Sequence, residues 1–185
     1  MNTELIYGYF DKYLDKPIKI TPLSYKLEER ELNSQIEIKL LINDQEECIS
    51  GSGVGLVDAG FDAFIGHFSD QHPSLSTISL TDVYFQIDAG KKDALNLRSK
   101  TLMKLEFEND RKFKTVFEDK TTSMGLTAVS VLTKAFEFYT NSELLFKRVR
   151  FLLEDAEKRS RYDVASEFRY VLTQVVGVTS YQSVS

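Results

Sequence analysis

The sequence predicts an α+β fold made of two copies of one βββα unit followed by a helical hairpin. Three observations carry that prediction. Two strand-like hairpins occur, each with an apolar residue at every second position. Each is followed by an apolar stripe of helical spacing. Beyond residue 143 the period is helical alone. A sheet face and a helix stripe of this kind must cover each other, so the two units pair into one pseudo-two-fold domain.

The elements follow in order. Leu5, Ile6, Tyr9, Phe10 and Tyr13 lie at helical spacing and Pro17 stops the run, which gives a short packing helix within residues 1–16. ITPLSYKLE is the first strand of unit one. SQIEIKLLINDQEECISG alternates at Ile36, Ile38, Leu40 and Ile42, turns at Asn43-Asp44, and returns through Cys48 and Ile49. Val57, Gly60, Phe61, Phe64, Ile65 and Phe68 then form the core-facing stripe of a helix. SDQHPSLST, residues 69–77, is the joint between the copies.

Unit two repeats the plan. LTDVYFQIDA alternates at Val83, Phe85 and Ile87. TLMKLEFENDRKFKTVFED alternates at Met103, Leu105 and Phe107, turns at Asn109-Asp110, and returns through Phe113, Val116 and Phe117. Ala128, Val131, Leu132, Ala135, Phe136 and Tyr139 are its helical stripe. The two units span residues 17–142. Residues 143–176 carry two further stripes, Leu145, Val149, Leu152 and Ala156, then Val164, Phe168, Val171, Leu172 and Val175, read as a helical hairpin broken at RSRYD. Residues 177–185 are expected to be a flexible tail.

Composition bounds the function. The chain has 185 residues, 42% hydrophobic and 28% charged, with net charge −5, the profile of a globular protein. A net negative charge argues against nucleic acid as the main partner. The first seventeen residues lack the basic and apolar regions of a signal peptide, and no apolar run nears the ~20 residues that span a bilayer. A cytoplasmic protein without membrane contact is expected. The lone Cys48 cannot close an internal disulfide and is read as a packed thiol, with His67 and His72 as surface imidazoles. No zinc set or Cys/His pair can be built from so few groups, and no cofactor is expected. Glu28-Glu29 and Glu46-Glu47 are read as solvated strand edges.

The stretch GSGVGLVDAGFDAFIGHF, residues 51–68, joins the first hairpin to its helix. It is not a phosphate loop, because Leu56 and Val57 stand where a lysine and a hydroxyl residue would have to follow Gly55. Nor does it have the parallel βαβ setting and glycine spacing of a dinucleotide site. Two readings stay open. The glycines could expose backbone N–H groups at a helix start to a small anion such as an amino acid carboxylate, or they could only turn the chain.

Gly53-Val54-Gly55-Leu56-Val57-Asp58-Ala59 resembles the GxGPVDA motif of the C-terminal regulatory, or dimerisation, domain of 2-isopropylmalate synthase and the related homocitrate and citramalate synthases. Leu80, Asp82, Val83 and Tyr84 are similar to that family's LxDYxV strand, Asp93-Ala94 within AGKKDAL to its GxDALG loop, and Ala135 with Asn141 to its A-x5-N helix ending. The resemblance covers roughly residues 20–142. Leu56 stands where the family has proline, and Ser123, Gly125 and Thr127 replace the second unit's usual glycine, serine and acidic residues. The resemblance implies two βββα units, a homodimer, and a site for a small end-product amino acid such as leucine at Gly53, Gly55, Val57, Asp58 and Ala59. In that role Gly53 and Gly55 would offer N–H groups to a carboxylate, Asp58 would meet an ammonium, and Val57 and Ala59 would bound an apolar pocket. Asp58 equally favours the helix start by its charge alone.

The parent synthases need a TIM barrel of about 250 residues, which this chain lacks, so no catalysis is expected. Leu153, Ala156, Tyr162-Asp163, Ala165 and Phe168-Arg169 also resemble the UVR motif, a short hairpin that mediates protein contacts in excision-repair proteins and Clp-system adaptors. That resemblance implies a protein partner for the hairpin, against packing on its own domain. Two classes of function follow: an amino-acid-sensing regulatory domain, or an interaction module that kept the fold and lost the pocket.

Overall fold

The computed structural model describes residues 3–31, 33–88 and 99–180. The chain is α+β. In order it runs α1 (Thr3–Tyr13), β1 (Ile20–Arg30), β2 (Asn33–Ile42), β3 (Gln45–Gly53), α2 (Leu56–Phe68), a 3-10 turn (Pro73–Thr77), β4 (Ser79–Asp88), β5 (Lys100–Glu108), β6 (Lys114–Thr121), α3 (Met124–Lys158) and α4 (Tyr162–Thr179). The strands form two antiparallel sheets, β1-β2-β3 and β4-β5-β6, each followed by a helix. Both sheets carry a register shift near the start of their first strand, between Pro22 and Ser24 and between Leu80 and Asp82, so the repeat extends to a bulge.

The alternation reads onto the sheets directly. Ile36, Ile38 and Leu40 of β2, and Met103, Leu105 and Phe107 of β5, are buried on the helix-covered faces. Asn43 and Asp44 take positive φ at 47° and 69°, as a two-residue hairpin of the sheet's twist requires. The second hairpin differs. Its loop runs from Asn109 to Phe113, and the Asn109 carboxamide holds it, accepting the N–H groups of Arg111 and Phe113 at 3.0 Å each. That lengthening leaves Phe113 outside β6 and puts Thr115 and Phe117 inward, with Val116 exposed.

Both helices start with a close approach. A side chain on Gly51 would meet the backbone of Ala59 and Ala63 at 2.3–2.7 Å, so α2 lies directly on β3. This brings Ala59 and Ala63 into the core beside the expected Phe64 and Phe68, while Val57, Phe61 and Ile65 are only partly covered. The whole expected stripe of α3 is buried. α3 packs against β5 and β6 of its own sheet, β1 of the other, α2, α1 and α4. Its aromatic residues face opposite ways: Phe136 stacks on Phe64 at 4.8 Å, and Phe138 meets Phe117 at 5.4 Å and Phe10 at 5.9 Å.

Two boundaries are corrected. α3 is one unbroken helix of 35 residues, so the division expected at residue 142 falls in its middle. No glycine or proline interrupts it between residues 126 and 158, and the apolar stripe changes partner without a break in the backbone. The tail expected from residue 177 is likewise helical through Thr179, with Val178 and Thr179 buried and Asn109 donating to the carbonyl of Gly177 at 2.6 Å. The rest of that tail, 181–185, lies outside the described residues, as does the loop with Asp93 and Ala94. α1 ends at Tyr13, before Pro17, and buries Ile6 and Phe10 while Leu5 faces out. Among the described residues no helix is long and apolar enough to cross a membrane.

The glycines of α2 and β3 should therefore differ sharply on substitution. Gly51→Ala would force helix and strand apart and should cost about 1–3 kcal/mol. Gly66→Ala, on the exposed face of α2 with nothing within 4 Å, should stabilise by about 0.5–1 kcal/mol. Urea unfolding midpoints of the two variants check the contrast.

Candidate functional site

The turn from β3 into α2 is tied by two carboxylates one helical turn apart. Asp58 accepts the N–H of Val54 and Asp62 accepts the N–H of Ser52, both at 2.9 Å through Oδ2. Backbone donors at the outer edge of β3 are thus satisfied by the helix that lies on it. Asp62 was not singled out in the sequence; its spacing of four from Asp58 was the available signal.

This geometry decides what each expected site residue can reach. A side chain on Gly53 would meet the Asp58 carboxylate at 2.5 Å and the Ala59 nitrogen at 2.6 Å, so the space beside Gly53 is filled by the turn itself. Ala59 is fully buried, Val57 half-buried, and one oxygen of Asp58 is engaged. Gly55 alone is open, with no atom within 4 Å of an added side chain. It stands at the N-cap of α2 with extended backbone and no side chain capping the helix. The five residues share one turn, but none lines the neighbouring groove of about 510 Å³. Lys26, Glu28, Gln35, Glu37, Ser50 and Ser52 line that groove on the outer sheet face, it reaches Asp62 of α2 around the edge of β3, and Lys26 is already paired with Glu28 at 2.7 Å.

In the second unit the equivalent turn is closed. A side chain on Gly125 would fall 2.0 Å from the Tyr25 hydroxyl, so the phenol of β1 occupies the space over the start of α3. Ser123 caps the helix, its hydroxyl accepting the Leu126 N–H at 3.4 Å, and the Thr127 hydroxyl donates to the Ser123 carbonyl at 2.7 Å. Ser123, Gly125 and Thr127 therefore cap the helix and pack it.

A second polar group lies where the 3-10 turn meets α3. Glu143 is fully buried, yet its Oε2 accepts both the N–H and the hydroxyl of Ser74, at 2.9 and 2.6 Å, and Lys147 lies 2.6 Å from Oε1. His72 Nδ1 is 3.8 Å from Oε1 and has no hydrogen-bond partner. Serine, histidine and a carboxylate are thus together, but connected wrongly for nucleophilic catalysis: the serine donates to the carboxylate, not to the imidazole. The group clasps the inter-unit joint onto α3. Burial pushes the Glu143 carboxyl up, but Lys147 and the two Ser74 donors outweigh it and hold the group below its ordinary value. Burial pulls His72 below the ordinary imidazole value, opposed by the Glu143 charge.

Cys48 and His72 are placed opposite to expectation. Cys48 is exposed, because β3 turns it to the outer face while Ile49 faces in. His72 is buried under the joint; His67 is partly exposed, with Nε2 3.3 Å from Glu47. Among the described residues no group of three or more His, Cys, Asp or Glu could hold a metal ion. No protein-family model and no curated protein matches this chain.

The clasp makes stability depend on pH. An imidazole whose folded value lies below 6.5 leaves the unfolded chain binding more protons just under that pH, so stability falls as pH drops through that window. A carboxyl lowered from 4.5 contributes stability above that value, which is lost as pH falls through its folded value. Both act in the same sense. His72→Gln should flatten the loss that begins near pH 6.5 and leave the more acidic one. Glu143→Ala should cost about 1–3 kcal/mol at neutral pH by leaving the buried Ser74 donors without an acceptor, while the half-exposed Lys147 ammonium stays in water. Denaturant titrations from pH 4 to 8 read both.

Proposed function

We propose that this chain is a non-catalytic association module, related in plan to the regulatory domain of 2-isopropylmalate synthase and its relatives, that works by contact with protein. The observation that carries this reading is Tyr25 over Gly125: the second of the two turns that would hold an amino acid is filled by the chain's own side chain. In the first turn the Asp58 carboxylate fills the space beside Gly53. The Ser74, His72 and Glu143 group, joined as a clasp, supports a role without catalysis. Contact with a second copy is the homodimer that the resemblance implies, and the α3–α4 hairpin offers a further surface, with Phe151, Tyr162 and Tyr170 exposed.

One observation favours amino acid sensing as the second reading: Gly55 is open at an uncapped helix start, where free N–H groups attract a carboxylate. A thermal-shift series with the twenty amino acids separates the two. A working site should raise the melting temperature for one small apolar member, since a ligand at ~100 times its Kd adds about 2.7 kcal/mol. Gly55→Val should fold normally, because extended φ accepts valine, and should abolish that response. For the association reading, no amino acid shifts the wild type at millimolar concentration, and sedimentation in the micromolar range shows a species larger than the 21.2 kDa monomer, alone or with a partner. A monomer that amino acids stabilise would overturn it.

A further inference from the structure

We propose that β4 is a docking edge for an extended segment of another protein, one with apolar side chains at every second position and a basic residue at each end. This rests on the association reading and names the surface and the kind of partner.

Among the described residues β4 has β5 as its sole strand neighbour, so no described strand lies on its other edge. Val83, Phe85 and Ile87 stand opposite Leu105, Met103 and Thr101 in register and so share the face on which the helices lie. Met103 and Leu105 are buried there, but Val83, Phe85 and Ile87 are 41%, 58% and 50% exposed. The cause lies in the helix layer. α2 lies across β2 and β3, and α3 lies across β5, β6 and β1. β1, the matching strand of unit one, has Tyr25 under α3; neither helix lies across β4.

Three apolar residues in alternation along a sheet edge are what strand addition uses: the backbone ladder supplies affinity and the alternate side chains supply selectivity. A bound strand would place its own apolar row beside Phe85 and extend the covered face. Charge selects the occupant. Antiparallel pairing of two β4 strands about Phe85 would set residues 82 and 88, both aspartates, against each other, and like charges directly opposite destabilise a ladder. A foreign strand ending in lysine or arginine puts the opposite sign at those two register positions.

The test is titration of the full chain into a fluorescein-labelled synthetic peptide, Lys-Thr-Val-Thr-Phe-Thr-Ile-Thr-Lys, read by polarisation, with backbone amide NMR shifts to locate it. Saturable binding is expected, with shifts concentrated in residues 79–87 and 100–108. A peptide with glutamate at both ends should bind more weakly, the gap narrowing with salt. Phe85→Glu should weaken binding at least about tenfold with the melting temperature kept. Should that variant unfold, Ile87→Ser is read the same way. No binding at millimolar peptide, or equal binding by the folded variants, overturns the proposal. So does a wild-type dimer that Phe85→Glu converts to monomer, since a second copy would then own the face. Association retained by the chain while the peptide fails sinks this site and leaves the association reading standing.

Discussion

Neither three-stranded sheet can cover its own apolar face, and the half of α3 from Ala128 to Tyr139 is what both sheets share. Phe136 reaches α2 and, through it, the first sheet; Phe138 and Tyr139 reach β6 and β5. A helix packed on so many sides has little surface left for water, so its polar groups need partners inside the fold. Asn141 supplies one set, accepting the Ile18 N–H at 2.7 Å and donating to the Ile18 carbonyl at 2.7 Å, which fixes the entry into β1. Thr115 and Tyr139 bond each other in the core, and burial raises the Tyr139 phenol well above its ordinary value. Glu143 supplies the third, holding the joint between the units.

This arrangement explains why α3 continues for 35 residues. Its first half closes the two-sheet domain, and its second half, with Leu145, Val149 and Leu153 buried, pairs with α4. The last turn of α4 returns to the Asn109 loop of the second sheet, and Thr77 bonds Ser180 at 3.1 Å. α1 is held from the far side, where Lys12 and Tyr13 meet Glu167 at 2.5 and 2.7 Å. The ion pair there is exposed and contributes little beyond orientation; the buried contacts of Ile6 and Phe10 fix the helix.

The same economy shapes the two helix starts. In unit one, glycines and aspartates bring α2 onto β3 and seal that strand's edge. In unit two, Ser123 caps α3 and Tyr25 fills the gap above it. One sequence plan has thus been resolved into two different turns, one partly open and one closed, and the repeat is symmetric in its backbone and asymmetric in its surfaces. β4 shows the consequence most clearly, because its apolar row matches β1 in position but lacks the cover.

The sequence by itself determined the elements and their pairing. Alternation at Ile36, Ile38 and Leu40, and at Met103, Leu105 and Phe107, is a local property of extended chain, and the stripes of α2 and α3 are local properties of helix, so both were legible without tertiary knowledge. What faces what was not. His72 and Glu143 are 71 positions apart, and nothing local marks them as neighbours. The five residues of the turn run from the end of β3 into the first turn of α2, yet whether they leave room for a ligand depends on Asp58 folding back on Val54 and, in the other unit, on Tyr25 arriving from a distant strand. Hydrophobic period records that a side chain must be covered; only the packed chain decides what covers it, and for Val83, Phe85 and Ile87 the helix layer falls short because α2 and α3 are committed to the other strands.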